Sequence, residues 1–247
     1  MSNKKDILQN AKIATAVWNG LDKDQREELH KYFHLRPTNS GITIITTLPF
    51  SPMRGLVEKN DVNLRKKLDD IYKELPILYS TEEGKAKECL NVLGFKLREQ
   101  DTDSLEEAVQ ALMIRNMSTD SSLQKRLGAK EKIRFIASEF IFEQGNNRVD
   151  IIGYDGTDLY LFELKKDRTT KVEQVRKYVD YYNKNRALLV DILRDYPINP
   201  VKSPVNDLRG VMVMQFAERS AGKTCWDDLK KEHGVDIVFY EKYLAFK

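Results

Sequence analysis

Between Arg148 and Tyr182 the chain reads RVDIIGYDGTDLYLFELKKDRTTKVEQVRKYVDYY, and no other stretch restricts the fold as tightly. A short apolar run, Val149 to Tyr154, is interrupted only by Asp150. Asp155, Gly156, Thr157 and Asp158 follow, and Gly and Asp tolerate the dihedrals that tight turns need. Leu159 to Lys165 is a second β-rich run, again broken only by charge. Two such runs joined by so short a turn predict an antiparallel hairpin. Side chains in a strand alternate faces, so Glu163 and Lys165 share one face while Leu164 points to the other. Pairing about the turn brings Asp150 near Glu163, and two carboxylates and an ammonium then share one edge of an apolar sheet.

Charges in an apolar strand are costly to desolvate unless they are paired or bind a metal. Carboxylate oxygens are the hard ligands that Mg²⁺ prefers, and Mg²⁺ keeps several coordination positions for water and substrate phosphates. A cation held there polarises a phosphoryl oxygen and makes bound water nucleophilic near neutral pH. Lys165 beside it is suited to orient that water or offset developing negative charge. The competing account is a salt bridge on a half-exposed hairpin, since exposed ion pairs are common.

The continuation adds to the pattern. Thr169 or Thr170 caps a predicted helix whose apolar stripe is Val172, Val175, Val179 and Tyr182, extending as far as Arg194. Gln174 and Tyr178 stand four apart on one side of it. Asp150, then Glu163-Leu164-Lys165, then Gln174-x-x-x-Tyr178 resembles the signature of the PD-(D/E)xK nuclease superfamily, the restriction-endonuclease-like fold. Val149 stands where that signature usually has proline. Within the superfamily the chain is similar to NucS-type endonucleases over residues 104–216.

The resemblance implies an α/β fold, α+β in stricter terms, with an αβββαβ core and a mixed sheet flanked by helices. It also implies that Asp150 and Glu163 hold Mg²⁺ or Mn²⁺, together with the Leu164 carbonyl. Lys165 would align or activate water, Gln174 would support the metal-bound water or a phosphate, and Tyr178 would be mainly structural. The helix that opens the core contributes a further carboxylate in such proteins. Glu106 matches that position, Glu107 replaces it after one slip of register, and Glu139 on the first strand is another candidate. The activity implied is hydrolysis of phosphodiester bonds in nucleic acid, foremost by a DNA endonuclease. An exonuclease, a ribonuclease or an inactive DNA-binding or protein-interaction module on the same fold are the alternatives. A homodimer is what analogy attaches to double-strand cutting.

The net charge of +3 is too small to announce nucleic-acid binding, but its distribution is uneven. Between Glu163 and Arg186 eight basic residues face four acidic ones. Lys166, Arg168, Lys171 and Arg176 are the candidate phosphate contacts in that excess. A solvated helix face would carry similar charge.

At 247 residues the chain accommodates two domains, which we expect at 1–100 and 101–247. The first reads as mostly helical: helices over 5–18, from Asp22 to about Phe33, near 61–75 and from Ser80 to Leu93, with one strand near 41–47. In the second, Ser104 caps a helix to about Asn116, a short helix lies near 121–128, and residues 133–142 hold the first core strand. Arg209 to Phe216 reads as a buried strand, Lys223 to His233 as a helix and Val235 to Phe246 as one or two strands.

No apolar run is long enough to span a membrane, and the N-terminus lacks the apolar core of a signal peptide. These features and two distant cysteines, Cys89 and Cys225, fit a cytoplasmic protein with free thiols. Ala221-Gly222-Lys223-Thr224 ends like a phosphate loop but lacks its first glycine, with Ala217 in that place. His30 and His34 lie four apart on the predicted second helix, without the glutamate a zinc-protease motif requires.

Overall fold

The computed structural model describes residues 2–48, 55–80, 82–95, 105–119, 122–141, 148–165, 172–196, 200–201, 204–215 and 226–240. The protein is α+β and divides into two compact units: Met1–Ser118 with Asp195–Pro200, and Thr119–Arg194 with Val201–Lys247.

In the first unit, α1 (Ser2–Asn19) and α2 (Lys23–Leu29) precede β1 (Phe33–Thr38) and β2 (Gly41–Thr46). Then follow β3 (Leu56–Glu58), α3 (Asp61–Leu78), α4 (Glu83–Val92) and α5 (Leu105–Thr119). The strands form an antiparallel sheet in the order β1-β2-β3. Two of them, β1 and β3, add to the one strand expected near 41–47. The second helix, expected to reach about Phe33, stops at Leu29, and residues 33–38 form β1, where Phe33 and Leu35 join a core with Trp18, Ile42, Ile44 and Leu68. Pro37 lies within this strand because β1 is at the sheet edge, where a missing N–H costs no ladder bond. His34 therefore sits on β1 and His30 caps the end of α2, so the two do not share a helix. Their rings meet edge-on at 5.4 Å, and burial, with His30 beside it, drives the His34 pKa well below the usual range. α3 starts where Asn60 accepts the Asn63 N–H at 2.8 Å, the N-cap geometry. α4 ends at a left-handed glycine, Gly94.

The second unit holds α6 (Ser122–Leu127), β4 (Arg134–Ile141), β5 (Arg148–Tyr154) and β6 (Leu159–Lys165). After these come α7 (Val172–Lys184), α8 (Arg186–Arg194), β7 (Leu208–Gln215), α9 (Trp226–His233) and β8 (Val235–Tyr240). Its five strands form one mixed sheet in the order β4-β5-β6-β7-β8: β4, β5 and β6 pair antiparallel, while β7 and β8 run parallel to β6. The sequential hairpins and the crossover through α7 and α8 produce this mixture.

The β5–β6 turn is held by one carboxylate. Asp155 accepts the N–H groups of Thr157, Asp158 and Lys130 and the hydroxyls of Thr157 and Tyr160. Gly156 takes φ +95°, which a side chain would resist. α7 lies close against β7, where a Cβ on Gly210 would come within 2.7 Å of Val175 and 2.8 Å of Val179. Val172 and Val175 pack on Met212 and Met214, and Tyr182 reaches Phe140 of β4, with ring centroids 6.3 Å apart. The helix is shorter than expected. Asn185 interrupts the run to Arg194 by donating its side-chain amide to the Tyr181 carbonyl at 2.9 Å, and α8 begins after it. Among the described residues no helix is long and apolar enough to cross a membrane.

Candidate active site on the β5–β6 edge

The β5–β6 ladder pairs Tyr154 with Leu159 and ends with Ile151 opposite Phe162. Continuing that register one step sets Asp150 opposite Glu163, and opposed residues of an antiparallel pair share a face. At that step the ladder changes character: the Leu164 N–H donates to Asp150 Oδ2 at 2.7 Å. In a strand the N–H and C=O of one residue leave on the same side, so the Leu164 carbonyl is directed toward β5 as well. Both acids are buried, Asp150 9% and Glu163 4% exposed. Lys165 returns to the Glu163 face, and its Nζ donates to Glu163 Oε1 at 2.6 Å.

The parallel neighbours of Glu163 and Lys165 are Met212 and Met214, the residues beneath α7. The helix thus covers the face that carries the charges. Val172, Val175, Tyr178 and Tyr182 are its buried residues, so Tyr178 joins the inward stripe while Val179, half-buried, still meets Gly210. Gln174 Nε2 donates to the Tyr178 hydroxyl at 2.5 Å. Burial raises the Tyr178 pKa; the Gln174 bond opposes the rise, Glu163 and Asp150 add to it, and Lys165 counters them. That hydroxyl lies in the field of all three charged groups.

Asp150, Glu163, Lys165, Gln174 and Tyr178 therefore belong to one layer of the second unit. Glu106 and Glu107 lie in the first turn of α5, in the first unit. Arg176 is two residues from Gln174, a spacing that turns it to the far side of α7, and it is exposed and 3.9 Å from Asp180. Lys166, Arg168 and Lys171 lie outside the described residues.

Glu139 shows a feature that no sequence pattern announces. The pairs Ser138–Ile151 and Phe140–Val149 bracket it, which places it opposite Asp150. Its φ is +53°, the one left-handed value at a non-glycine among the described residues. Such a conformation costs on the order of 1–3 kcal/mol. Its Oε2 lies 2.6 Å from a guanidinium nitrogen of Arg148, whose side chain is 55% exposed. The carboxylate side of that pair is 21% exposed, so the bond is half-buried at the Glu139 end.

The donor set fits one hard divalent cation in a particular way. Among the described residues two carboxylates face one ammonium, a balance of charge that a cation would suit. Among the described residues no group of three or more His, Cys, Asp or Glu side chains is placed to hold a metal. Two carboxylates, with water and substrate oxygens completing the shell, is the manner in which Mg²⁺ is commonly bound. No protein-family model matches the chain, and no curated protein matches its sequence.

Proposed function

We propose that this chain is a divalent-metal-dependent phosphodiesterase acting on nucleic acid, foremost a DNA endonuclease with a PD-(D/E)xK type of core. One observation carries the reading: Asp150 and Glu163 are buried opposite each other at the end of a ladder, with Lys165 on Glu163 and the Gln174–Tyr178 pair on the helix above them. A structural hairpin does not need two buried acids there, because desolvated carboxylates are costly unless a cation or donors compensate them.

Asp150 and Glu163 would hold Mg²⁺ or Mn²⁺. The ion supplies Lewis acidity toward the phosphoryl oxygen and a lowered pKa for bound water. Lys165, whose ammonium rests on Glu163, would orient the attacking water and offset charge gathering on the phosphoryl oxygens. Water adds to phosphorus, the P–O ester bond breaks, and the departing oxygen takes up a proton. Gln174 keeps the Tyr178 hydroxyl fixed and has its carbonyl oxygen to offer to a water or a donor at the site.

A second reading has its own observation. Asp150 already serves the backbone by accepting the Leu164 N–H, so the fold could persist as a nucleic-acid or protein-binding module without turnover. Purified protein incubated with supercoiled, linear and single-stranded DNA and with RNA, in Mg²⁺, Mn²⁺ or chelator, separates these readings. The nuclease reading expects metal-dependent nicking or linearisation of the circle, abolished in Asp150→Asn. Loss of ends with an intact circle indicates an exonuclease, and cutting of RNA alone a ribonuclease. Absence of cleavage with either metal, alongside retained binding, selects the module.

A further inference from the structure

We infer that Arg148, held by Glu139, is a positioning residue that grips a backbone phosphate of the nucleic acid beside the Asp150–Glu163 pair. The inference rests on the nuclease reading but concerns different residues. Arg148 stands two positions before Asp150 on β5, the spacing that returns a strand side chain to the same face. Glu139 is the diagonal neighbour across β4, since Ile141 is opposite Arg148. The guanidinium is thus anchored on one side by Glu139 and exposed on the other, at the rim of a buried acidic pair.

Two facts turn this from an ordinary surface ion pair into a directed one. Glu139 keeps a left-handed backbone that a glycine would adopt without strain, and its carboxylate meets the Arg148 guanidinium at 2.6 Å from there. Strain retained beside a candidate site is the kind of feature that serves orientation rather than stability. The chemistry also fits the substrate. A site that concentrates negative charge to hold a cation repels a polyanion, and a guanidinium at its rim counters that repulsion. Its planar fork matches the oxygens of a phosphodiester, which a lysine would meet only as a point charge.

The test uses the full-length protein and a short fluorescein-labelled duplex DNA. Binding is measured in chelator over a range of salt, and steady-state cleavage in Mn²⁺. Arg148→Ala is expected to weaken binding about tenfold and to reduce the slope of log K against log salt by about one contact's share. KM should rise by a similar factor with kcat within about threefold, because the residue positions the strand and does not touch the reacting atoms. Arg148→Lys should recover part of the salt slope and less of KM. Glu139→Gly should raise KM with Tm unchanged or higher, a combination that loss of a structural contact does not give. Unaltered KM and salt slope in Arg148→Ala, with wild type binding and cutting normally, would overturn the inference and leave the nuclease reading intact. Wild-type protein that neither binds nor cuts nucleic acid would overturn both.

Discussion

Asp150 accepts the Leu164 amide and also faces Glu163, so substitutions there divide a structural duty from a chemical one. Asparagine keeps an acceptor for that N–H but loses the charge. Asp150→Asn should change stability by less than about 1 kcal/mol in a denaturant melt, while cleavage falls by more than about 100-fold. Asp150→Ala should lose the same activity and a further 1–3 kcal/mol or so, because a buried N–H is left unsatisfied. Equal melts for the two variants would remove the structural duty. Lys165→Ala should lower kcat by about 100-fold with DNA affinity nearly unchanged; unaltered cleavage would remove that side chain from the chemistry.

At the other end of the hairpin Asp155 predicts a pH dependence. Burial alone would raise its pKa, but bonds from the Asp158 and Thr157 amides and from the Tyr160 and Thr157 hydroxyls hold it below the ordinary carboxylate value. A depressed folded-state pKa means that the unfolded chain takes up the proton first. The stabilisation is therefore complete above the unfolded pKa, near 4, and disappears as pH falls through the folded value. Melts of wild type and Asp155→Asn should converge in acid and separate above about pH 5. A constant difference across that range would contradict the assignment.

Among the elements, α7 sets the site because it brings Gln174 and Tyr178 over the charged face, and Gly210 is what lets it approach. Gly210→Ala should destabilise by about 1–3 kcal/mol through overpacking against Val175 and Val179. It should also lower activity, although residue 210 does not reach the acids; a variant as stable and active as wild type would show that α7 has slack. The β5–β6 hairpin was readable because its turn residues and its charges break an apolar pattern at fixed places, and both strands and the turn fall where they were expected. The Asp150–Glu163 opposition followed from the same count of residues. Other elements were not readable, because tertiary context decides them. β1 carries a proline that only an edge position excuses, and β3 is three residues long among prolines. The stop at Asn185 depends on one side-chain bond, and Glu139's left-handed backbone on a bulged strand paired to its neighbour. Nothing in the sequence around Arg148 separates it from any exposed arginine at a strand end.

For the whole molecule, the division into units assigns α5, with Glu106 and Glu107, to Met1–Ser118 except for its last residue, whereas the sequence pattern grouped that helix with the strands that follow. The acidic pair, the lysine and α7 all lie in the other unit, so the metal binding we propose would belong to that unit's own sheet. Mn²⁺ should therefore slow amide exchange in β5 and β6, at Leu164 above all, and leave α1 and α3 unaffected. The most direct measurement of the central claim is a calorimetric titration of Mn²⁺ into the wild-type protein, Asp150→Asn and Glu163→Gln. One ion bound by wild type, with the heat lost in each variant, is the predicted result. Wild type that takes up no ion, or variants that bind it as tightly, would contradict the account.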